Sequence, residues 1–530
     1  MPIKRTHLIL LLILFSLGIT FICQKDALFN KYIVHDDTNM YLFPFYSIQD
    51  PQLFQDDLLS AYALCHNSLG MVFIYTFLCR FSDPLVLSKI FPFVLCCLSA
   101  VYFFLVGEKI KNIYVGSLAA VIFTMYSWTL QCFSGGHARA FAFLFLSSFI
   151  YYLLVKRYLA VILILLLEVF IYPPLAVLSV TALALKLFFR PLRDKGWIDS
   201  VVVIAVGVSL LAFIYLVPHD FPGPVFAWKD ITHMPEFFKG GRTPIFIDSL
   251  EMLRNESIAE RVTGIPLGNA ATWLLLWVSC FGAYLTLKKK IDLGPWIGVF
   301  VLAGFLTYGL AWGFLLKLFF PGRYLKFSLS LFLIFLTALT LDRFFIESSA
   351  PERRFFKFCV VSAVAFLLAF PFLNHDLTHF RNKRLYDFLS TLPKDAVIAG
   401  HPQDANEIPL FAKRKVFLTY ELSLPLHHNY YNDIRNRTDD LFRLYYAGSA
   451  SLIKKMCAAE HIDYLLVRPA RFSRDYLNKK EFYIDPYNAF VRRIVAANEK
   501  SGFVLARIPQ SYKLYEDADF YVIKISEIQG

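Results

Sequence analysis

Long runs of apolar residues dominate this sequence of 530 residues. Hydrophobic residues make up 57% of the chain, whereas a soluble globular chain averages about 45–50%. The excess is concentrated in runs, and a run of about 20 apolar residues lets a helix cross the hydrocarbon of a bilayer. The sequence therefore predicts an α-helical polytopic membrane protein.

These runs predict about eleven transmembrane helices. The predicted spans lie at roughly 6–23, 85–106, 113–131, 140–155, 158–172, 174–190, 198–217, 270–287, 294–314, 324–341 and 356–372. No small-x-small cleavage site follows the first run. We therefore interpret it as an uncleaved first span and not as a signal peptide.

Basic residues are concentrated in alternate loops between the predicted spans. With a cytoplasmic N-terminus, the inner loops that carry them are 107–112, 155–157, 189–196, 288–294 and 342–357. The positive-inside bias produces this distribution, so the net charge of +12 does not indicate a nucleic-acid partner. We expect a multi-pass protein of the plasma membrane, in a bacterial inner membrane, surrounded by membrane lipids.

One segment, 68–81, decides this orientation. It is apolar but only about 14 residues long, which is short for a span. If it crossed the membrane, all five basic loops would lie outside. We therefore interpret it as an interfacial helix that lies on the membrane surface.

With that orientation, three parts of the chain face outward. They are the first loop at about 24–84, a second loop at about 218–269, and the tail 373–530. The tail lacks long apolar runs and mixes strand-like stretches with amphipathic ones. We predict a membrane domain over 1–372 and an extracytoplasmic α/β domain over 373–530. The tail elements that the pattern indicates are strands at 396–398 and 464–467 and helices at 381–392 and 450–459.

Two adjacent carboxylates, Asp36 and Asp37, follow the first span. A carboxylate at this position can act as a general base on an incoming hydroxyl if partial burial raises its pKa. The alternative is that it caps a helix over 39–46, since Asp is a common N-cap residue.

A second acidic pair, Asp56 and Asp57, precedes the amphipathic run 58–64. Here we favour the capping interpretation, because the pair stands directly before a helix-like pattern.

The outer loop between the third and fourth spans is very short and contains His137 and Arg139. Arg139 must therefore lie at the membrane surface, close to the first loop. A guanidinium there suits a lipid-linked phosphate, because it stays charged and binds two oxygens at once. An interfacial arginine that snorkels to the surface is the alternative.

Further polar residues lie at or within the later spans. Arg323, Tyr324 and Lys326 stand in a Pro-Gly turn before the tenth span, on the outer side, where basic residues run against the usual bias. Phosphate binding would account for them, and an ordinary exposed turn is the alternative. Glu168 lies inside the fifth span, where an ionisable residue is a functional candidate, or the partner of Arg139 in a structural ion pair.

The order of these features resembles that of the GT-C class of membrane glycosyltransferases. An acidic pair follows the first span, and the stretch 66–70, with His66 and Gly70, opens an interfacial helix. An arginine-bearing loop follows the third span, a Pro-x-Arg-Tyr turn precedes a late span, and an α/β tail follows. The class includes protein O-mannosyltransferases, aminoarabinose transferases and the catalytic subunits of oligosaccharyltransferases, and the likeness to the first two is the one we suspect.

The resemblance implies a role for several residues. Asp36 or Asp37 would be the catalytic carboxylate, and Arg139, Arg323 and Lys326 would bind the donor phosphate. The implied reaction inverts the anomeric centre as a sugar moves from a polyprenyl-phosphate donor to an acceptor outside the membrane. That acceptor would be a glycan, a lipid or a protein.

His137, Glu168, Tyr324 and His66 would support this site. The second outer loop lacks the acidic pair of metal-dependent oligosaccharyltransferases, and the tail lacks their WWD-type signature. We therefore expect no cofactor and no metal, although a divalent ion would be compatible with the chemistry.

Two other functions remain open at the level of sequence. One is a transporter or flippase of lipid-linked glycans, but we find no repeated halves, and the candidate charges lie at one surface. The other is a non-catalytic scaffold of GT-C type that acts through its tail.

Overall fold

The computed structural model describes residues 5–35, 37–189, 196–216, 221–247, 270–288, 291–292, 294–318, 320–346, 377–479, 481–500 and 502–528. The predicted span 356–372 and the candidate residue Asp36 lie outside these residues.

Apolar helices form most of the first part of the chain. They are separated by short turns, and polar residues cap several of them: Asn112 accepts a hydrogen bond from Val115 N at 2.9 Å, and Asp83 accepts one from Leu85 N at 2.8 Å. The helices up to residue 216 are α1 (Arg5–Phe29), α2 (Thr38–Tyr41), α3 (Leu58–His66), α4 (Leu69–Leu78), α5 (Pro84–Ile110), α6 (Ile113–Met125), α7 (Ser127–Phe133), α8 (Ala142–Leu154), α9 (Tyr158–Ile171), α10 (Pro173–Phe189) and α11 (Trp197–Leu216).

Four more helices precede the tail, namely α12 (Trp228–Ile231), α13 (Ala270–Leu287), α14 (Gly294–Gly313) and α15 (Gly322–Ile346). Among the described residues, α1, α5, α11, α14 and α15 are long and apolar enough to cross a membrane, and α6, α8, α9, α10 and α13 are shorter apolar helices. Each of the first ten predicted spans thus coincides with an apolar helix. The chain is a multi-pass helical membrane protein, and the number of about eleven crossings stays a prediction.

The predicted span 113–131 is not one helix. α6 ends at Met125 and α7 begins at Ser127. Tyr126 between them has an extended backbone, and the Thr129 hydroxyl donates to the carbonyls of Phe123 and Tyr126 at 2.6 Å. This side chain satisfies carbonyls that the interrupted helix leaves open, which hydropathy alone does not reveal.

Ion pairs and hydrogen bonds distinguish the two ends of the helix bundle. At one end, Arg5 of α1 pairs with Glu108 of α5 at 2.8 Å. At the other end, Lys89 of α5 donates to the carbonyl of Asn30, just beyond α1, at 2.7 Å. The chain between residues 30 and 89 therefore begins and ends at the same end of the bundle. The predicted orientation requires this geometry.

Helices α3 and α4 lie within that segment and meet at an angle of 112°. α4 has ten residues and is therefore about 15 Å long. Its buried residues are Met71 and Tyr75, whereas Leu69, Phe73 and Phe77 are exposed. An apolar stripe on a short exposed helix suits an interfacial position, and this interpretation of 68–81 stays a prediction.

The tail contains a mixed five-stranded sheet. Its strands are β3 (Val397–Gly400), β4 (Lys415–Val416), β5 (Tyr464–Val467), β6 (Lys513–Glu516) and β7 (Tyr521–Lys524). Their order in the sheet is β4-β3-β5-β7-β6. β3 pairs in parallel with β4 and β5, and β7 pairs antiparallel with β5 and β6. All four residues of the central strand β5 are buried, as its Tyr-Leu-Leu-Val sequence predicts. Outside this sheet, β1 (Ile33–Val34) pairs antiparallel with β2 (Thr378–His379).

Helices cover the sheet, and the longest of them is strongly amphipathic. This helix is α18 (His428–Tyr445), and its buried residues include Tyr430, Ile434, Leu441 and Tyr445, which recur at helical spacing. The tail helices are α16 (Lys383–Leu389), α17 (Ile408–Phe411), α18 (His428–Tyr445), α19 (Ala450–Ala459), α20 (Arg474–Leu477) and α21 (Tyr487–Asn498). The four tail elements expected from the sequence are all present, with shifts of a few residues at 381–392 and 396–398.

The described part of the second outer loop, 221–247, is bound to the tail. Arg242 pairs with Glu421 at 2.7 Å, and the Tyr431 hydroxyl donates to Glu236 at 2.7 Å. The first loop also contacts the tail, because the rings of Tyr62 and Tyr430 stack with centroids 3.5 Å apart. The described part of the second loop, the first loop and the tail therefore form one connected layer, and its predicted position outside the membrane stays a prediction.

Candidate functional site

Asp37 stands at the N-cap position of α2, but its side chain makes no capping hydrogen bond. Asp57, in contrast, caps α3 with a hydrogen bond from Ser60 N at 2.8 Å. The capping interpretation is therefore confirmed for Asp57 and wrong for Asp37. The carboxylate of Asp37 is turned toward other residues.

Those residues are two histidines and an arginine. Asp37 Oδ2 lies 3.1 Å from Arg139 Nη2, 3.8 Å from His35 Nδ1 and 3.9 Å from His137 Nε2. Arg139 Nη2 also lies 2.9 Å from His35 Nε2. The histidines are buried, whereas the side chains of Asp37 and Arg139 are 32% and 28% exposed. The carboxylate and the guanidinium thus meet where solvent or a substrate reaches them.

The pKa of Asp37 is lowered, whereas the role of general base was predicted on the condition that partial burial raises it. Burial on its own raises the pKa of this carboxyl. The positive charge of Arg139, the imidazoles of His35 and His137, and the positive charge of Arg323 together outweigh burial and lower it. Charged neighbours within a few ångströms commonly have this effect. Asp37 is therefore an ionised carboxylate in the protein as it stands.

The loop before Arg139 owes its shape to two glycines and two distant side chains. Gly135 and Gly136 both have positive φ, which side chains rarely allow. The Tyr75 hydroxyl of α4 donates to Gly136 O at 2.7 Å, and Gln24 of α1 donates to the Ser134 hydroxyl at 2.7 Å. Helices α1 and α4 thereby fix the position of His137 and Arg139.

Stacked aromatic rings extend from this cluster toward the tail. Tyr41 packs against His137 and His66, with ring centroids 5.5 Å and 5.8 Å apart. His66 stacks in turn on Tyr62 at 5.7 Å. Burial, then His427 of the tail, lowers the pKa of His66 to about 3, so this imidazole is neutral. His66 therefore offers a neutral polar edge beside the carboxylate.

The turn before α15 brings a second cation to the site. Arg323 acts on Asp37 through its charge, which is the last of the causes, after burial, Arg139 and the two histidines, and lowers the pKa of that carboxyl. Lys326 faces elsewhere, with its ammonium 4.8 Å from the centre of the Trp128 ring. The Tyr324 hydroxyl donates to the Leu318 carbonyl at 2.8 Å and is buried. Of these three predicted residues, only Arg323 is among the charges that lower the pKa of Asp37.

Glu168 is fully buried in α9, and neither carboxyl oxygen makes a hydrogen bond with the described residues. Arg139 pairs with Asp37, and no ion pair to Glu168 occurs in the described part of the chain. The proposed Glu168–Arg139 pair is therefore wrong.

Sequence reasoning assigned no role to His35 and Tyr41, although both lie within a few residues of Asp37. Their closeness to Asp37 in the sequence could have indicated that they belong to the same site. The contact of His35 with Arg139, however, depends on the turn into α2, which the sequence does not reveal. Asp36, the alternative catalytic residue, lies outside the described residues. The observed site comprises His35, Asp37, Tyr41, His66, His137, Arg139 and Arg323.

No protein-family model matches the sequence, and no curated protein matches it. The solved structures that match include an oligosaccharyltransferase of the archaeon Archaeoglobus fulgidus. Its apo form has a TM-score of 0.52 and 13% identity, over 89% of this chain and 71% of that chain. Its complex with an inhibitory peptide and a dolichol-phosphate has a TM-score of 0.51 and 12% identity, over 99% of this chain and 75% of that chain.

A third match is the complex of the same enzyme with Zn and sulfate, with a TM-score of 0.50 and 13% identity, over 89% of this chain and 69% of that chain. Identities this low establish a shared fold and nothing more. The chain thus has the GT-C fold of the archaeal oligosaccharyltransferase, as the order of its motifs predicted. The narrower likeness to O-mannosyltransferases and aminoarabinose transferases stays a prediction.

Proposed function

We propose that this protein is an inverting glycosyltransferase that moves a sugar from a polyprenyl-phosphate donor to an acceptor on the outer face of the membrane. The observation that carries the proposal is the pairing of Asp37 with Arg139 at 3.1 Å, and the charge of a second cation, Arg323, acts on the same carboxylate. A base for the acceptor and cations for the leaving phosphate are the two components that such a displacement needs.

The donor phosphate would rest between Arg139 and Arg323, with its lipid among the helices. The acceptor oxygen attacks the anomeric carbon while the bond from that carbon to the phosphate oxygen breaks. The phosphate leaves with its lipid, and its growing negative charge is stabilised by the two guanidinium groups. The acceptor proton passes to Asp37. Attack opposite the leaving group inverts the anomeric centre.

Donor binding would also strengthen Asp37 as a base. In the free protein, positive neighbours lower its pKa. A bound phosphate neutralises part of the charge of Arg139 and Arg323, so the pKa of Asp37 rises in the complex. The carboxylate would then accept a proton more readily when the donor is in place. In the empty site, the lowered pKa keeps Asp37 ionised, so it does not take up a proton before the donor binds.

The fold supports this proposal, because the archaeal enzyme of the same fold was solved with a dolichol-phosphate and an inhibitory peptide. The stacked rings of Tyr41, His66 and Tyr62 run from Asp37 toward the tail. An acceptor would approach along this side, under the layer made by the outer loops and the tail. A cytoplasmic N-terminus and an external tail belong to the same proposal.

The test is mass spectrometry of lipid-linked sugars and envelope glycans in cells that lack this protein. We expect the wild type to restore a sugar-modified product, and Asp37→Asn to reduce that product by at least about a hundredfold. Asp519→Asn changes an aspartate of the tail whose side chain is 60% exposed and should restore it fully.

Expression and thermal unfolding of each variant show whether it is folded. Full product formation by folded Asp37→Asn would contradict the proposal. A redistribution of lipid-linked sugar across the membrane with no loss of product bonds would instead identify a flippase.

A further inference from the structure

His35, Asp37 and His137 resemble a set of metal ligands. One donor atom from each lies within 4.8 Å of the other two. Imidazole and carboxylate are ligands that Zn²⁺ accepts, and the archaeal oligosaccharyltransferase of this fold was solved in a complex with Zn and sulfate. A metal ion fits only if lone pairs of these three side chains point to a common position.

The imidazole of His35 does not offer such a lone pair. Arg139 Nη2 lies 2.9 Å from His35 Nε2, and the backbone N–H of Asp37 lies 3.2 Å from His35 Nδ1. A guanidinium only donates, so Nε2 must accept from it, and a neutral imidazole then carries its proton on Nδ1. The charged donor at the shorter distance takes precedence over the backbone N–H. Nε2 gives its lone pair to Arg139 and Nδ1 carries the proton, so neither nitrogen of His35 has a lone pair left for an ion.

The carboxylate of Asp37 faces the same cation. The single atom Arg139 Nη2 lies 3.1 Å from Asp37 Oδ2 and 2.9 Å from His35 Nε2. It therefore occupies the space between these two atoms, and an ion could be held by His35 only at Nδ1, which lies 3.8 Å from Asp37 Oδ2 and carries the proton. A divalent ion at that point would also be repelled by the guanidinium charge. His137 remains, and its nitrogens make no hydrogen bond with the described residues, but one imidazole does not hold an ion.

We infer that the guanidinium of Arg139 takes the place of a metal ion in this site, so that the protein works without a divalent metal. Arg139 is a cation that belongs to the chain, fixed by Asp37 and His35. It keeps the carboxylate ionised and selects the tautomer of His35. The expectation that sugar transfer needs no metal rests on the proposed function, whereas the expectation that the protein binds no metal does not.

The experiment measures zinc and manganese binding to the full chain in lipid nanodiscs by titration calorimetry, after treatment with a chelator. We expect no stoichiometric binding by the wild type. Arg139→His removes the guanidinium and adds an imidazole, so we expect it to bind zinc at least about tenfold more tightly than the wild type. Arg80→His makes the same change at an exposed position outside the site and should not bind.

Sugar transfer by the wild type should be unchanged by the chelator. Stoichiometric zinc or manganese binding by the wild type that is lost in Asp37→Asn would overturn the inference. Loss of transfer in chelator and its return with added metal would do the same, as would a folded Arg139→His protein that binds no zinc.

If Arg139→His does not fold, as judged by size exclusion and thermal unfolding, the wild-type titration decides alone. Failure of the proposed function has a different signature. In that case no sugar transfer occurs with or without chelator, while the metal titration still gives its answer.

Discussion

Asp37 is held as an anion by its neighbours, and that charge has consequences for the pH dependence of the reaction. Its pKa is lowered below the ordinary value of an aspartate by Arg139 and Arg323 against the effect of burial. Burial also lowers the pKa of His137, with the charge of Arg139 as the second cause. Neither group should therefore titrate near neutral pH in the free protein.

We expect different acid limbs for the two kinetic constants. The acid limb of kcat/KM, which reports the free enzyme, should lie below the ordinary aspartate pKa, and His137 should contribute no limb near neutral pH. The acid limb of kcat, which reports the donor complex, should lie at higher pH, because the bound phosphate neutralises Arg139 and Arg323. Rates measured from about pH 2.5 to about pH 8 test this. A kcat limb at the same pH or lower would contradict it.

Arg323 and Lys326 provide a matched pair of cations in one turn. The charge of Arg323 acts on Asp37, whereas the ammonium of Lys326 lies over the Trp128 ring. We expect Arg323→Gln to lower kcat/KM by about 10²–10³-fold, as for the loss of one donor to a developing anion. Lys326→Gln should stay within about threefold of the wild type. Equal losses in both variants would show that the turn acts through its net charge.

At the scale of elements, α4 is important because it holds the loop that carries Arg139. The Tyr75 hydroxyl donates to Gly136 O, and both atoms are buried. Tyr75→Phe leaves that carbonyl without its donor, and we expect it to lower the free energy of unfolding by about 1–3 kcal/mol.

Thermal unfolding in detergent or nanodiscs measures this change. Tyr114→Phe, in a side chain that is 60% exposed, is the control and should change the melting temperature little. An unchanged melting temperature in Tyr75→Phe would show that the contact does not hold the loop.

Helices were easier to predict than their interruptions. Runs such as 85–106 and 198–217 are long, and hydropathy alone places them within a few residues of α5 and α11. The break at Tyr126 depends on Thr129, whose hydroxyl turns back to two carbonyls. Tertiary side-chain contacts of this kind leave no periodic pattern in the sequence.

The same limit applies to the site. Asp37, Arg139 and Arg323 could be brought together by the order of the spans, because all three fall at one end of the helices. Lys326 and Tyr324 could not be separated from Arg323, since they share a turn and differ only in the direction of their side chains. The sign of the Asp37 pKa shift required the distance to Arg139, which no spacing provides.

For the whole molecule, the outer layer ties the tail to the first loop. Tyr62 stacks on Tyr430, and the Tyr62 hydroxyl lies 3.2 Å from His427 Nδ1. Both rings are buried. The position of α3, and with it His66 beside Asp37, therefore depends on the tail.

We expect Tyr430→Ala to increase hydrogen exchange in residues 58–66 by about tenfold or more, because the buried stack is lost. Mass spectrometry of exchanged peptides measures this. Leu514→Ala changes a side chain of β6 that is 42% exposed and should leave exchange in these residues unchanged. Equal exchange in the two variants would show that α3 is held without the tail.

In the proposed reaction, Asp37 serves direct displacement of a lipid phosphate by an acceptor. The most direct measurement is nuclear magnetic resonance of the sugar product that the purified chain makes in nanodiscs from a polyprenyl-phosphate sugar of known anomeric configuration. We expect a product of inverted configuration with the wild type and none with folded Asp37→Asn. A product of retained configuration, or transfer at the wild-type rate by Asp37→Asn, would contradict it.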